Sequence, residues 1–556
     1  MKLFDNMRLI IRGIFNNQKL LFVLCVIALS LPNVCLFFTE RMSLLARVCN
    51  VVLPMGAYWR IMTLSRKPGK AFLWLFPLVF LAAFQIVLLS LFGNSVIAVD
   101  MYLNLVTTNP TEACELLSNI YLSVVFVVVV YVPLVLWSMF SLRKEAVDEG
   151  FIRTNRKWAN RCLLMGIVSL VGNYVFYKDY EFKVDLYPVN VMYNAVLAVE
   201  RNAKSMNYHI TSRDFTFNAE NKRASNEPEV YVLVIGETAR AANLGIYGYE
   251  RNTTPLMEKL RGLVVFNDVF TQSNTTHKSV PMLLSAVSAD NFNDIYKQKS
   301  VITAFKEAGY STAYFSNQRR NHSLIDFFGE EADVTEFIKD SLPVDANVYD
   351  AELLGRLKRF LATDTAAKRF VVLHTYGSHF NYRERYPADK AYYKPDMYTS
   401  ASQDNRATLI NAYDNTIRAT DEFLNSVVCV VDAECVPSAV VYVSDHGEDI
   451  YDDDGKHFLH ASPIPSYNQL RVPLLVWTSQ SYDTLYPSKR ECMLKNADKK
   501  IVTGLVVFHT LLDLADISTF YKKDHCALSN KNYESLENRT YLNDHNKPVP
   551  VKLLLR

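Results

Sequence analysis

The sequence predicts an α/β protein in two parts: five N-terminal membrane-spanning helices, then an α/β/α sandwich around a mostly parallel sheet. Three observations carry this. Long apolar runs dominate the chain up to Tyr177, whereas all 11 histidines follow residue 208. From Glu229 onward the short β-branched runs VYVLVI, GLVVFNDVF, STAYFS, RFVVLHT, AVVYVS and VPLLVW alternate with helical segments. Polar residues of catalytic type follow two of these runs, Glu237 after Val230–Ile235 and Asp445-His446 after Ala439–Val443. Open α/β sheets place ligands at such carboxyl ends.

The 556 residues carry a formal net charge of +2, so no basic or acidic excess points to nucleic acid. A mean hydropathy of +0.02 hides the split between the two parts. Crossing a bilayer takes about 20 apolar residues. Leu20–Phe38, Ser43–Thr63, Ala71–Phe92, Leu116–Phe140 and Cys162–Tyr177 meet or approach that length. The second carries Arg47 and Arg60, and the fifth is short. Basic residues set the orientation. Lys2, Arg8, Arg12 and Lys19 precede the first span; Arg66, Lys67 and Lys70 separate the second from the third. Arg143, Lys144, Arg153, Arg156, Lys157 and Arg161 separate the fourth from the fifth, while Gly93–Glu115 holds no Lys or Arg. The basic loops thus fall on the cytoplasmic side, and an odd number of spans puts everything after Tyr177 outside.

The expected divisions are residues 1–177 for the membrane domain, 178–228 for a linker and 229–556 for the catalytic domain. In the linker, Val191, Ala195, Val196 and Val199 recur at helical spacing. They predict an amphipathic helix that lies on the membrane surface or packs on the soluble domain. Asn218–Pro228, rich in polar residues, marks the boundary. Cys429, Cys435, Cys492 and Cys526 fall in the exported part and allow two disulfides, with Cys429–Cys435 the favoured pair across VVDAE. Cys25, Cys35, Cys49, Cys114 and Cys162 read as small apolar packing residues.

Glu237, Asp445, His446 and the hydroxyl of Thr276 form a ligand set suited to Zn²⁺ with an open position. A metal beside a hydroxyl lowers its pKa and makes it a nucleophile at neutral pH. Singly each residue is unremarkable: a strand-end glutamate is ordinarily solvated or capping. Thr276 lies in SNTTHKSVP before the apolar MLLSAV, and Pro281 predicts a helix start there. A hydroxyl at a helix entry meets unpaired backbone N–H groups, a good seat for a phosphoryl group. An N-cap role for Thr275 or Thr276 is the commoner alternative. His379 follows the run ending at His374, and His460 lies downstream of the Asp-His pair. Either can bind a second metal, hold a phosphate oxygen or protonate a leaving group. His374, continuing a buried strand, reads as packing.

GETARAANLGIYGYERNTTP, Thr276 before SVP, LHTYGSH, SDHGE and His460 together resemble the phosphoethanolamine transferases of Gram-negative inner membranes, the lipid A modifying and mobile colistin-resistance enzymes. The resemblance implies five spans followed by a periplasmic domain of the alkaline phosphatase and sulfatase type, acting as a monomer. It implies zinc, one ion or two, on Glu237, Asp445 and His446, with Thr276 as the nucleophile. His379 and His460 match histidines near the phosphoryl group. Asn104, Thr108 and Glu112 match residues that hold the lipid's ethanolamine head. The implied reaction moves phosphoethanolamine from phosphatidylethanolamine to lipid A or other lipopolysaccharide, with polymyxin resistance as the phenotype. Two features depart from the pattern: Gln272 and Met282 stand where several relatives have a disulfide, and Asp452-Asp453-Asp454 forms an acidic run expected to be a solvated loop. A phosphoglycerol transferase, a sulfatase or phosphodiesterase, and a non-catalytic membrane sensor are the rival readings; Thr276 in place of Cys or Ser speaks against a sulfatase.

Overall fold

The structure, a computed structural model, describes residues 15–554 apart from 41, 93–95, 108–120, 178–179, 224–226, 344–345, 399 and 453–456. The chain divides into two compact units, one built mainly before Glu200 and one mainly after it.

The first unit is helical: α1 (Gln18–Thr39), α2 (Leu44–Met62), α3 (Pro68–Trp74), α4 (Phe76–Phe92), the first part of α5 (Val99–Thr107), whose residues from Leu103 belong to the second unit, α6 (Tyr121–Ser141) and α7 (Glu149–Phe176). Among the described residues three helices, Gln18–Thr39, Ser123–Ser141 and Glu149–Phe176, are long and apolar enough to cross a membrane. The pair α3 and α4, bent by 71° at its break, makes a fourth if taken as one span. Helix α2 stands apart because Arg47 and Arg60 dilute its apolar run. Small residues bring α2 and α7 together: a Cβ on Gly56 would lie 2.8 Å from the Leu163 nitrogen, and one on Gly166 2.6 Å from the Leu53 Cα. Helix α8 (Val189–Met206) forms in the expected linker. Val191 on it is buried, and Val196 and Val199 are exposed.

The second unit holds a seven-stranded sheet of β1 (Glu229–Gly236), β2 (Leu263–Phe266), β3 (Ser311–Ser316), β4 (Val334–Phe337), β5 (Lys368–His374), β6 (Ser438–Ser444) and β7 (Leu474–Thr478), in the order β2-β7-β6-β1-β5-β3-β4. The sheet is mixed. Strand β7 runs antiparallel to β2 and β6, and the pairings from β6 to β4 are parallel. The segment VPLLVW therefore forms a strand against the expected direction. GLVVFNDVF splits, its second half (Asp268–Phe270) pairing with Lys500–Val502 outside the main sheet. Strand β4 was not expected, because Val334, Thr335 and Glu336 are partly or fully exposed at the sheet's edge and lack an apolar run.

Strand β1 is buried on both faces, which its unbroken apolar sequence requires. Tyr231, Leu233 and Ile235 pack with α9 (Thr276–Leu284) and α13 (Thr503–Leu514). Val230, Val232 and Val234 pack with α10 (Glu352–Thr363) and α11 (Arg406–Asp432). Helix α12 (Tyr467–Leu470) is a single turn before β7. Helix α11 also overturns the Cys429–Cys435 pairing. VVDAE is its final turn and exit rather than a strand connection, and both cysteines are exposed free thiols.

Candidate active site

The site is assembled where β1, β5 and β6 end. Strand β1 delivers Glu237, β6 delivers Asp445 and His446, and the register pairs Gly236 with Ser444 so that these residues leave the sheet side by side. Asp445 N–H donates to the Gly236 carbonyl at 3.0 Å, tying the two exits together. Glu237 is 1 % exposed and Asp445 and His446 are 0 % exposed, a cost that buried charge bears only with a partner.

The three offer ligand atoms within 4.8 Å of one another. His446 Nδ1 contacts the Gly447 carbonyl at 2.9 Å, and since a carbonyl only accepts, the proton sits on Nδ1 and the lone pair on Nε2. That Nε2 faces Asp445 Oδ2 at 3.2 Å and Glu237 Oε1 at 3.4 Å. Asp445 Oδ2 is buried and accepts no hydrogen bond. These acceptor atoms converge on one point, and a cation bound there would satisfy them. Burial, then the charge of Asp445, pushes the Glu237 carboxyl well up from its ordinary range. Burial raises Asp445 as well and holds His446 neutral. Two nitrogen- and oxygen-type ligand classes in a small cluster suit zinc.

Thr276 opens α9, and Thr275 occupies the N-cap position. Thr275 makes no capping bond with its side chain; its hydroxyl meets Ser273 Oγ at 3.0 Å. The Thr276 hydroxyl instead points at the cluster, 3.3 and 3.4 Å from the Glu237 oxygens and 3.1 Å from His446 Nε2. His460 stands with its ring 4.2 Å from that of His446 and 5.9 Å from that of His379. Its Nδ1 is 3.1 Å from Glu448 Oε2, while the other Glu448 oxygen accepts from the Tyr382 hydroxyl. His379 gives its Nδ1 proton to the Phe380 carbonyl at 2.6 Å, and burial pushes its pKa down to about 3.

The structure therefore brings Glu237, Thr276, His379, Asp445, His446 and His460 together. Asn104 falls in α5, with its side chain outside the described part, and Thr108 and Glu112 lie outside the described residues. His374 is a packing residue, bonded through Nδ1 to the Tyr314 hydroxyl at 3.0 Å and the Ser316 hydroxyl at 3.2 Å. Asp452 is exposed and pairs with Arg240, which is 4 % exposed, and with Arg406 at 2.9 Å; Asp453 and Asp454 lie outside the described residues. Three further residues hold the site. Thr238 Oγ1 donates to Glu237 Oε1 at 2.7 Å, and Gln318 Nε2 donates to Glu237 Oε2 at 3.1 Å. Glu448, inside SDHGE, orients His460. The position of Gln318 just past β3 is the signal that points to it, since neighbouring strand ends share the site.

Comparison with known proteins gives the same picture. A family model described as Sulfatase matches residues 229–517. The Kdo(2)-lipid A phosphoethanolamine 7''-transferase of Escherichia coli K12 is 31% identical over 281 residues, 49% of this chain and 47% of that protein. Phosphoethanolamine transferase EptC of the same strain is 28% identical over 305 residues, 53% of this chain and 52% of that protein. The chain thus spans about half the length of the curated relatives it matches. Among solved structures, the C-terminal periplasmic domain of EptC from Escherichia coli in complex with Zn has a TM-score of 0.55 at 26% identity, covering 61% of this chain and 96% of that one. The integral membrane lipooligosaccharide phosphoethanolamine transferase A from Neisseria meningitidis shares the fold, with a TM-score of 0.73 at 22% identity over 91% of this chain and 97% of that one.

Proposed function

Since the chain belongs to the sulfatase family and within it to the phosphoethanolamine transferases, we propose that it moves phosphoethanolamine from phosphatidylethanolamine to lipid A. Other lipopolysaccharide sites are the alternative acceptor. In this reading it is an inner-membrane protein with five spans and a periplasmic catalytic domain at residues 229–556, and it confers polymyxin resistance. The observation that carries the reading is the Thr276 hydroxyl, set at a helix entry against three buried ligand atoms.

Glu237, Asp445 and His446 would hold zinc, with Thr276 at the open position. Bound there, zinc lowers the pKa of the threonine hydroxyl and offsets charge on the phosphoryl oxygens. The residues of the chain do the rest. Thr276 Oγ1 bonds to phosphorus, the bond to the diacylglycerol oxygen breaks, and diacylglycerol leaves with a proton. An oxygen of the acceptor then bonds to the same phosphorus, the bond to Oγ1 breaks, and Thr276 regains its proton. The start of α9 would face the transferred group, where its dipole favours negative charge. His379, half-buried and with its Nδ1 proton given to the Phe380 carbonyl, offers a lone pair and not a proton. The acid role falls to His460, whose imidazolium the Glu448 carboxylate stabilises.

Mass spectrometry of lipid A and core oligosaccharide, from cells with and without the protein, tests this. A phosphoethanolamine increment on lipid A that depends on the protein is the expected result. An increment of phosphoglycerol, or none on any glycan, refutes it.

A further inference from the structure

The segments that carry Thr276, Asp445-His446 and His460 all hydrogen-bond to one residue, Gln469 in the single turn α12. Gln469 is 1 % exposed. Its amide oxygen accepts from Asn274 Nδ2 at 2.7 Å and Ser462 Oγ at 2.9 Å. Its amide nitrogen donates to Asp449 Oδ2 at 2.7 Å and the Leu459 carbonyl at 3.2 Å. Both of those partners are acceptors only, which fixes which end of the amide is which. Its main-chain carbonyl accepts from Gly447 N–H at 2.8 Å, directly after His446. Asn274 is two residues before Thr276, and Leu459 and Ser462 flank His460. Asn274 also bonds the Ser462 carbonyl at 2.8 Å and accepts from Ala461 N–H at 3.1 Å. Ser466 caps the turn and donates to Asp449 Oδ1 at 2.6 Å, so α12 is itself anchored to the chain leaving β6.

No other side chain described above touches all three segments, and every hydrogen-bonding site of this amide is used. We propose that Gln469 is a positioning residue for the transfer reaction, fixing the Thr276, His446 and His460 segments relative to one another. The inference rests on the roles given to Thr276 and His460 above. Gln469 touches no reacting atom; it acts through Asn274, Ser462 and Leu459.

Gln469→Glu in the full-length zinc-loaded enzyme keeps the shape and the acceptor side. It removes both N–H donors and sets a carboxylate against Asp449. With phosphatidylethanolamine vesicles and lipid A, kcat should fall about 100-fold, as sub-ångström to ångström misplacement does, with KM within about 3-fold and zinc content unchanged. The double variant Asp449→Asn/Gln469→Glu supplies a donor from the other side and should recover most of kcat. Asn274→Ser cuts the tie to the nucleophile segment and should lower kcat about 10-fold on the same terms. Crystal structures of the variants should show residues 274–276 or 459–462 displaced by more than about 0.5 Å. A kcat within about 2-fold of wild type, a loss accounted for by missing zinc, no recovery in the double variant, or unmoved segments would each overturn the proposal. A wild-type enzyme that transfers no phosphoethanolamine refutes the functional reading instead, and the crystallographic comparison still decides the role of Gln469.

Discussion

Gly377 sits in the left-handed region at φ 50°, and a Cβ there would lie 2.6 Å from the Glu237 carbonyl oxygen and 2.9 Å from its nitrogen. Ordinary contact begins at 3.4 Å, so Gly377→Ala forces about 0.8 Å of movement. The Glu237 carbonyl is not free to retreat, because it accepts from Ser378 N–H at 2.9 Å. The movement passes to Glu237 itself, whose carboxylate belongs to the ligand cluster. Left-handed backbone costs about 1–2 kcal/mol and overpacking about 1–3 kcal/mol, so the domain should lose roughly 2–5 kcal/mol. The shift exceeds the roughly 0.5 Å a catalytic constellation tolerates, and activity should fall about 100-fold. Gly248 is the control: its φ is 88°, and a Cβ there meets nothing within 4 Å. Gly248→Ala should cost only the backbone term of about 1–2 kcal/mol and leave transfer intact. Urea unfolding, zinc affinity by chelator competition and the transfer assay read all three effects. If Gly377→Ala matched Gly248→Ala in all three, the reasoning about the Glu237 exit would be wrong.

Thr276→Ala should abolish transfer and keep the fold. Thr275→Ala, which loses no capping bond, should stay active at a cost under about 1 kcal/mol. Peptide mass spectrometry of enzyme held with donor and no acceptor should find phosphoethanolamine on Thr276, and finding it on Thr275 moves the nucleophile. Asp445→Ala combined with His446→Ala should empty the site, and full zinc occupancy by elemental analysis would refute the ligand assignment. Burial pushes the His374 pKa down to about 3 from an ordinary 6.5. The folded state then refuses a proton that the unfolded chain accepts, so stability present above pH 6.5 is lost as pH falls from there towards 3. The loss is about 1.4 kcal/mol per pH unit, or about 2 kcal/mol by pH 5. His374→Gln should flatten the pH dependence of urea stability by that amount, and an unchanged slope would show the histidine titrating normally.

The grouping of Glu237, Asp445 and His446 was legible because these residues adjoin the apolar runs that make β1 and β6, and strand ends are where open sheets gather ligand-binding side chains. Strand direction was not legible. Leu474–Thr478 is buried on both faces like its parallel neighbours, and burial alone sets its composition. Direction depends on how the chain arrives, here through α12 instead of a crossover helix. The cysteine pairing failed for a related reason: VVDAE carries one turn-type residue, Asp432, and neither Gly nor Pro to tell helix from loop. Gln318 was signalled only by its place just past β3, and Gln469 was beyond reach. A single amide in a polar segment has no periodic signal, and its importance lies in partners that only the folded chain brings close. The Asp452 pairing was hidden in the same way, since Arg240 lies in a different motif from the acidic run.

The order of strands in the sheet also sets a timetable. The strand made first, β1, ends up in the middle, between β5 and β6, and β6 is not complete until residue 444. At about 5–20 residues per second, the roughly 200 residues between them take about 10–40 s to emerge from a ribosome. Until residue 374 is made β1 has two open edges, and until residue 444 it has one, the condition under which chains pair with the wrong neighbour. Gln469 arrives later still. The groups of the site therefore come together only after residue 469 has been made.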